Sequence, residues 1–476
     1  MTLRFDPENI DHFKAQIRGI PGYPTGEELP IRAMIFQSGA LWRLPALLQQ
    51  AGAKTDQPLS VVMDRTPMTR EGQDLKSLIL DQVQKAGWQV EIIWLEPDST
   101  GQVHTDFPQI NYVKVRLSTD SAVLSVGSGT VTDIAKHACH LYQQENNTPP
   151  LPFIVYQTAN SVSAYTSNMA PTFVDGVKRT LTSRYPDVLV CDLETLRDAP
   201  KAMTVAGVGD LLAAFGSYAD WWLAHGLGMD DTYTEFAQTL MGPLDEIFLE
   251  QAEALRANTL ESMSVLAKLI ALGGIAMSLS HATAPLSGFE HVISHVLDLI
   301  AEQRHRPLAQ HGTQVALATH LTTTAYQIFL DEFDPAEVNI NQCFPTEAQM
   351  KTRLESAFNG LDPTGLVAAE CWTEYKIKLD AWHTHRTHIE AALRNWNDIR
   401  ARLLSLAKPP ELTLRILQSV DSPLHFSELM PPPSQGEVHF AFTHAALIRR
   451  RLTLGDLFVF LNWDQEALWA KVSKNL

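Results

Sequence analysis

The chain has 476 residues, 45% hydrophobic and 19% charged, with a formal net charge of −17. That length exceeds one small core and fits two domains of ordinary size. An acidic balance without any basic run or stripe argues against nucleic acid as a partner, and an anionic ligand would need a local pocket.

The first residues, MTLRFDPENIDHFKAQ, are polar and acidic, unlike a signal peptide. No uninterrupted apolar run approaches the roughly 20 residues that span a bilayer, so no membrane span is expected. The four cysteines, Cys139, Cys191, Cys343 and Cys371, form no CxxC pair and match no zinc spacing. They read as buried thiols of a reducing compartment, and the expected location is the cytoplasm.

In chain order, IRAMIF (31–36) is a strand and LWRLPALLQQAG has helical spacing. LSVVMD (59–64) is a strand, LKSLILDQVQKAG (75–87) a helix, and WQVEIIWL (88–95) a strand. AVLSVG (122–127) runs through a glycine turn into the helix TDIAKHACHLYQQ. LPFIVYQT (151–158) and DVLVCD (187–192) complete the series. Strands alternating with helices predict a mostly parallel sheet with helices on both faces.

After about residue 195 the period becomes helical, from MTVAGVGDLLAAFGSYADWWLAHGL to ALIRRRLTLGDLFVFL. The expected organisation is an α/β dinucleotide-binding domain over 1–195 and an all-helical metal-binding domain over 196–476. QQENNTPPLP (143–152) and MPPPSQGE (430–437) read as loops.

VGSGTVTD follows a strand and opens a helix, where free N–H groups meet phosphate. It lacks the GxGxxG spacing, so a phosphate cradle and a plain turn both fit. Asp64 ends the strand LSVVMD, as a ribose-binding acid or as a turn acid. Arg65 follows and could meet a 2′-phosphate, which leaves NAD and NADP both open. QTANSVSAYTS (157–167) is dense in small hydroxyls at the end of another strand, as a ligand loop or as a solvated one.

His291 and His295 share a helix face four residues apart, with Glu290 adjoining, and His311 follows just before Gly312. With Asp210 of TVAGVGDLLAA they make a carboxylate and imidazole set suited to zinc or another first-row divalent ion. The denser cluster WHTHRTH (382–388) sits in a charged helix and reads as a solvated face.

Taken in order, SGALWRLPALL, GSGTVTDIAK, TANSVSAYTS, FVDGVKRT, LETLRDAPKAMTVAGVGDLLA, ADWWLA, SGFEHVISH, QHGTQVALAT and AALIRRRLTLGDLF resemble the glycerol-1-phosphate dehydrogenase family of the iron-containing alcohol dehydrogenase superfamily. The resemblance covers nearly the whole chain. It implies the dehydroquinate synthase-like fold, with the active site in a cleft between the two domains. It puts the metal on Asp210, His291 and His311: zinc, with iron or nickel as alternatives. It puts cofactor contacts on Gly127, Gly129, Thr130, Val131, Thr132, Asp133, Thr158, Ala159, Asn160, Ser161 and Ser167. The catalytic set it implies is Asp210, His291, His295 and His311, with Ser163, Asp210 and His295 at the substrate. Ala214 stands where some relatives carry a fourth, histidine ligand.

The implied activity is metal-dependent, NAD(P)-linked interconversion of a small ketone and a secondary alcohol, after dihydroxyacetone phosphate reduction. A homo-oligomer, dimer or larger, is expected. Two departures bear on substrate. The family usually has Asp where Ser163 stands, and Arg-Pro where this chain has Ala284-Pro285. A guanidinium that could serve a phosphate is not imitated by alanine. An unphosphorylated substrate is one alternative. A 3-dehydroquinate synthase-like cyclase is another, disfavoured by the Asp ligand and by few basic residues.

Overall fold

A computed structural model describes residues 3–475. Its strands, in chain order, are β1 (Ala33–Gln37), β2 (Pro58–Asp64), β3 (Thr69–Arg70), β4 (Gln73–Asp74), β5 (Gln89–Leu95), β6 (Ala122–Gly127), β7 (Phe153–Gln157), β8 (Met169–Val174), β9 (Val177–Thr182) and β10 (Val188–Asp192). Six of them form one sheet in the order β1-β10-β7-β6-β2-β5, every pair parallel. The strands β6, β7 and β10 are buried at every position, as central parallel strands covered on both faces must be. At the edge, β5 is largely exposed. The expected α/β sheet is therefore present, and the two short hairpins β3-β4 and β8-β9 add to it.

The order places a topological switch between β2 and β6. From β2 the chain steps outward to β5; from β6 it steps the other way, to β7 and β10. Ligands of open α/β sheets collect beyond the carboxyl ends of strands at such a point. Met63 pairs with Val126, so β2 and β6 end side by side at Asp64 and Gly127.

The chain divides into two compact units. The first comprises the chain up to Val174, Lys178–Leu211 and Glu235–Leu279; the second comprises Asp175–Val177, Leu212–Thr234 and Ser280–Leu476. The helices Leu244–Arg256 and Leu260–Leu279 thus group with the sheet. The second unit is helical, its central members Ala214–Gly226, Phe289–Gln303 and His311–Glu332. A buried ion pair, Lys378 Nζ to Asp456 Oδ1 at 2.6 Å, ties its C-terminal helices together.

Lys201–Gly226 and Leu260–Leu279 are long and apolar enough to cross a membrane by length and composition. The most apolar windows of the two segments are 89% and 78% buried, which is how core helices come to be apolar all round. In WHTHRTH, His383 and His388 are exposed and meet the backbone carbonyls of Pro345 and Gly226, consistent with a solvated face.

Candidate active site

The glycine turn leads into the helix Gly129–Asn146, whose N-cap Ser128 makes no side-chain capping bond. The first N–H groups of that helix, beside the end of β6, are therefore not capped by Ser128. Both glycines are demanded by packing. A Cβ on Gly127 would lie 2.5 Å from Val131 Cβ, and one on Gly129 would lie 2.4 Å from Val162 Cγ2. Close approach of helix to strand and of loop to turn leaves no room for a side chain.

Asp133 is spoken for. Its carboxylate meets the fully buried Lys136 ammonium at 2.7 Å. Burial pushes its pKa up to about 6 against the pull of that cation. Lys136 also donates to the carbonyls of Ala164 and Met169, both at 2.7 Å, and to Ser167 Oγ at 3.4 Å. Asp133 and Ser167 thus share one buried ammonium, which pins the far end of the 157–169 loop beneath the helix. A lysine at i+3 from an acid inside an otherwise buried helix is the signal that could have found it.

The near end of the loop is tied as firmly. Thr158 N donates to Gly127 O at 3.2 Å. The Ala159 carbonyl accepts from Tyr165 Oη at 2.7 Å, and Ser161 Oγ lies 3.3 Å from the same hydroxyl. Asn160 accepts from Gln157 at 2.7 Å and donates to Met263 O at 3.0 Å. Thr130, Val131 and Thr132 continue the helix, the latter two buried. Beyond β2, Asp64 accepts from Thr66 Oγ1 at 2.6 Å and from Lys76 Nζ at 3.1 Å. Arg65 instead pairs with Glu96 at 2.7 Å and stacks over Trp94.

The loop runs alongside the helix Lys201–Leu212, which explains its AGVGD motif. A Cβ on Gly207 would lie 2.2 Å from the Asn160 carbonyl oxygen. Three residues further along both segments, Ser163 N and Oγ donate to Asp210 Oδ2 at 2.9 and 2.8 Å. Asp210 is 5% exposed. Its helix runs on to Leu212, the first residue of the second unit.

In the second unit, the helix Phe289–Gln303 carries His291 and His295, and His311 opens the helix His311–Glu332. Their rings gather closely: 5.3 Å from His291 to His311, 5.7 Å from His295 to His311 and 6.1 Å from His291 to His295, between centroids. Each ring is held. His291 Nδ1 lies 3.2 Å from Glu290 Oε1, His311 Nδ1 lies 3.3 Å from Ser294 Oγ, and Arg449 donates to His295 Nδ1 at 2.6 Å. A carboxylate on Nδ1 fixes the tautomer that leaves Nε2 as ligand. Arg449 belongs to AALIRRRLTLGDLF, yet nothing in that motif announces its partner 154 residues away.

Behind His291, Asp220 accepts from Phe289 N, Tyr326 Oη and Leu454 N at 2.6, 2.5 and 2.7 Å. Burial, with Glu290 adding its charge, pushes the Asp220 carboxyl up to about 7. The second unit thus brings the rings of His291 and His311 together, and Asp210 stands on the helix Lys201–Leu212, near the end of the first unit's segment Lys178–Leu211. Two imidazoles and one carboxylate are a donor set for a first-row divalent ion.

Known proteins resemble this chain in sequence and in fold. A family model for iron-containing alcohol dehydrogenases matches residues 35–200. Glycerol-1-phosphate dehydrogenase (NAD(P)+) of Bacillus subtilis (strain 168) is 30% identical over 297 residues, 61% of this chain and 72% of its own. The enzyme of that name from Geobacillus stearothermophilus is 28% identical over 301 residues, 63% of this chain and 71% of its own. In fold, the chain resembles a variant of an archaeal halo-thermophilic Red Sea brine pool alcohol dehydrogenase, with a TM-score of 0.56 at 13% identity, covering 95% of this chain and 99% of that one. A 1,3-propanediol oxidoreductase follows, with a TM-score of 0.54 at 15% identity, covering 94% of this chain and 98% of that one. The chain belongs to the glycerol-1-phosphate dehydrogenase family of the iron-containing alcohol dehydrogenases.

Proposed function

We propose that this protein reduces dihydroxyacetone phosphate to sn-glycerol 1-phosphate with NAD(P)H, using one divalent ion held by Asp210, His291 and His311. The observation that carries it is the pairing of the His291 and His311 rings, 5.3 Å apart and each held at Nδ1, with the buried, doubly hydrogen-bonded Asp210 carboxylate as the third donor. An ion held by these residues would supply Lewis-acid polarisation of a ketone carbonyl, and a reduced nicotinamide would supply the hydride. Zinc is the ion we favour, with iron and nickel as alternatives that the same histidine and carboxylate donors would also accept.

The protein's own groups have separate tasks. Glu290 and Ser294 orient the two histidine ligands through Nδ1. His295, held at Nδ1 by Arg449, offers its other ring nitrogen to a substrate oxygen. The Arg449 charge beside His295 supports an anionic substrate where Ala284 offers none. The N–H groups of Gly129, Thr130 and Val131 suit the pyrophosphate. Asp64, at the switch point, suits the adenosine ribose and repels a 2′-phosphate, while Arg65 is engaged by Glu96. NADH is therefore the expected reductant. We also place the enzyme in the cytoplasm, in keeping with four buried free thiols, and expect a homo-oligomer.

The test is zinc-supplemented turnover with NADH or NADPH against dihydroxyacetone phosphate and dihydroxyacetone. Faster reduction of the phosphorylated ketone with NADH is the expected result. Turnover confined to unphosphorylated ketones would favour a second reading, a changed substrate, to which the uncharged, buried Ala284 points. No ketone reduction with either cofactor would overturn the proposal.

A further inference from the structure

We propose that Ser163 is a positioning residue that fixes the Asp210 carboxylate and couples dinucleotide binding to metal binding. It rests on the function proposed above.

Both donors of Ser163 reach the same oxygen, Asp210 Oδ2, the amide at 2.9 Å and the hydroxyl at 2.8 Å. Ser163 and Asp210 are each 5% exposed, so water does not replace these bonds. Two hydrogen bonds occupy the lone pairs of Oδ2. The two bonds fix the plane of the Asp210 carboxylate, which would be pre-oriented when it holds a metal ion. The hydroxyl that occupies the family's Asp position serves the metal ligand here.

The residue before Ser163 meets the glycine turn. Val162 packs on Gly129 so closely that a Cβ there would lie 2.4 Å from Val162 Cγ2. Gly129 opens the helix whose N–H groups face the proposed pyrophosphate. The path from pyrophosphate to metal ligand is then Gly129, Val162, Ser163, Asp210. Little slack exists along it, because the Asn160 carbonyl presses on the Gly207 backbone and Thr166 Oγ1 is bound to Ala271 O at 2.7 Å. A dinucleotide that settles this loop settles Ser163, and Ser163 settles Asp210. Reciprocity requires each ligand to raise affinity for the other by the same factor.

The experiment measures zinc affinity of the full-length protein by chelator competition, with and without saturating NADH, for wild type, Ser163→Ala and Ser163→Thr. NADH should tighten zinc binding by wild type about 5-fold or more. Ser163→Ala should bind zinc about 10-fold more weakly and show a smaller NADH effect, while Ser163→Thr, which keeps the hydroxyl, should restore both. Melting curves and NADH affinity of the variants separate loss of fold from loss of positioning. Wild-type binding of both ligands with independent affinities would overturn the coupling. Ser163→Ala with wild-type zinc affinity would overturn the positioning role. A wild-type protein that binds neither zinc nor NADH would instead remove the proposed function beneath both.

Discussion

Replacing Gly207 by alanine adds one methyl group to the helix Lys201–Leu212. On an unobstructed helix that change stabilises by about 1 kcal/mol. Here the new Cβ would lie 2.2 Å from the Asn160 carbonyl oxygen, 2.9 Å from its carbon and 3.0 Å from Ile270 Cδ1. Comfortable contact begins near about 3.5 Å, so helix or loop must retreat by about 1 Å. Two of the three obstacles are backbone and cannot rotate away. Forcing a methylene into such packing costs about 1–3 kcal/mol, which outweighs the helix gain. The expected outcome is a lower melting temperature and weaker NADH binding, because Asn160 stands in the proposed cofactor loop. Thermal melting with a fluorescence titration of NADH measures both. A raised melting temperature with unchanged NADH affinity would show that loop and helix are not in the contact described.

Other consequences follow from the buried charges. Glu290→Gln removes the carboxylate that holds His291, and zinc affinity by chelator competition should fall about 10–100-fold. Lys136→Met strands the buried Asp133 carboxylate and should cost about 3–5 kcal/mol in urea denaturation, with Asp133→Asn recovering part of it in the double variant. Asp220 has a folded pKa of about 7, above the unfolded carboxylate value, so its contribution is fully present at low pH and is lost as pH rises through about 7. Asp220→Asn should therefore flatten the fall in stability between pH 5 and pH 8, measured by melts at each pH; an unchanged slope would assign that fall to other groups.

The sheet was legible because buried parallel strands are continuous apolar runs, as in AVLSVG and FIVYQ, bounded by turn residues. The hairpin β8-β9 was not, since its strands are only half-buried and carry mixed residues. Its one local signal was Asp175-Gly176, both at positive φ, 47° and 79°, as a two-residue hairpin turn requires. The helix Phe107–Lys114 likewise hid behind a weak apolar stripe, though its cap Asp106 and Pro108 are start signals. At the site, the proposed ligands Asp210, His291 and His311 were named through an ordered resemblance. Their holders were harder to see. Ser163 meets an acid 47 residues on and Arg449 a histidine 154 residues back, separations that no local pattern encodes. Lys136 reads as a surface lysine until the 157–169 loop closes over it.

The central claim is tested most directly by one measurement: NADH oxidation by the zinc-loaded enzyme with dihydroxyacetone phosphate, before and after chelation, for wild type and Asp210→Ala. The proposed function predicts turnover by wild type that chelation abolishes and zinc restores, and no turnover with little bound zinc in Asp210→Ala. Full activity after complete removal of the metal, or in Asp210→Ala, would contradict it.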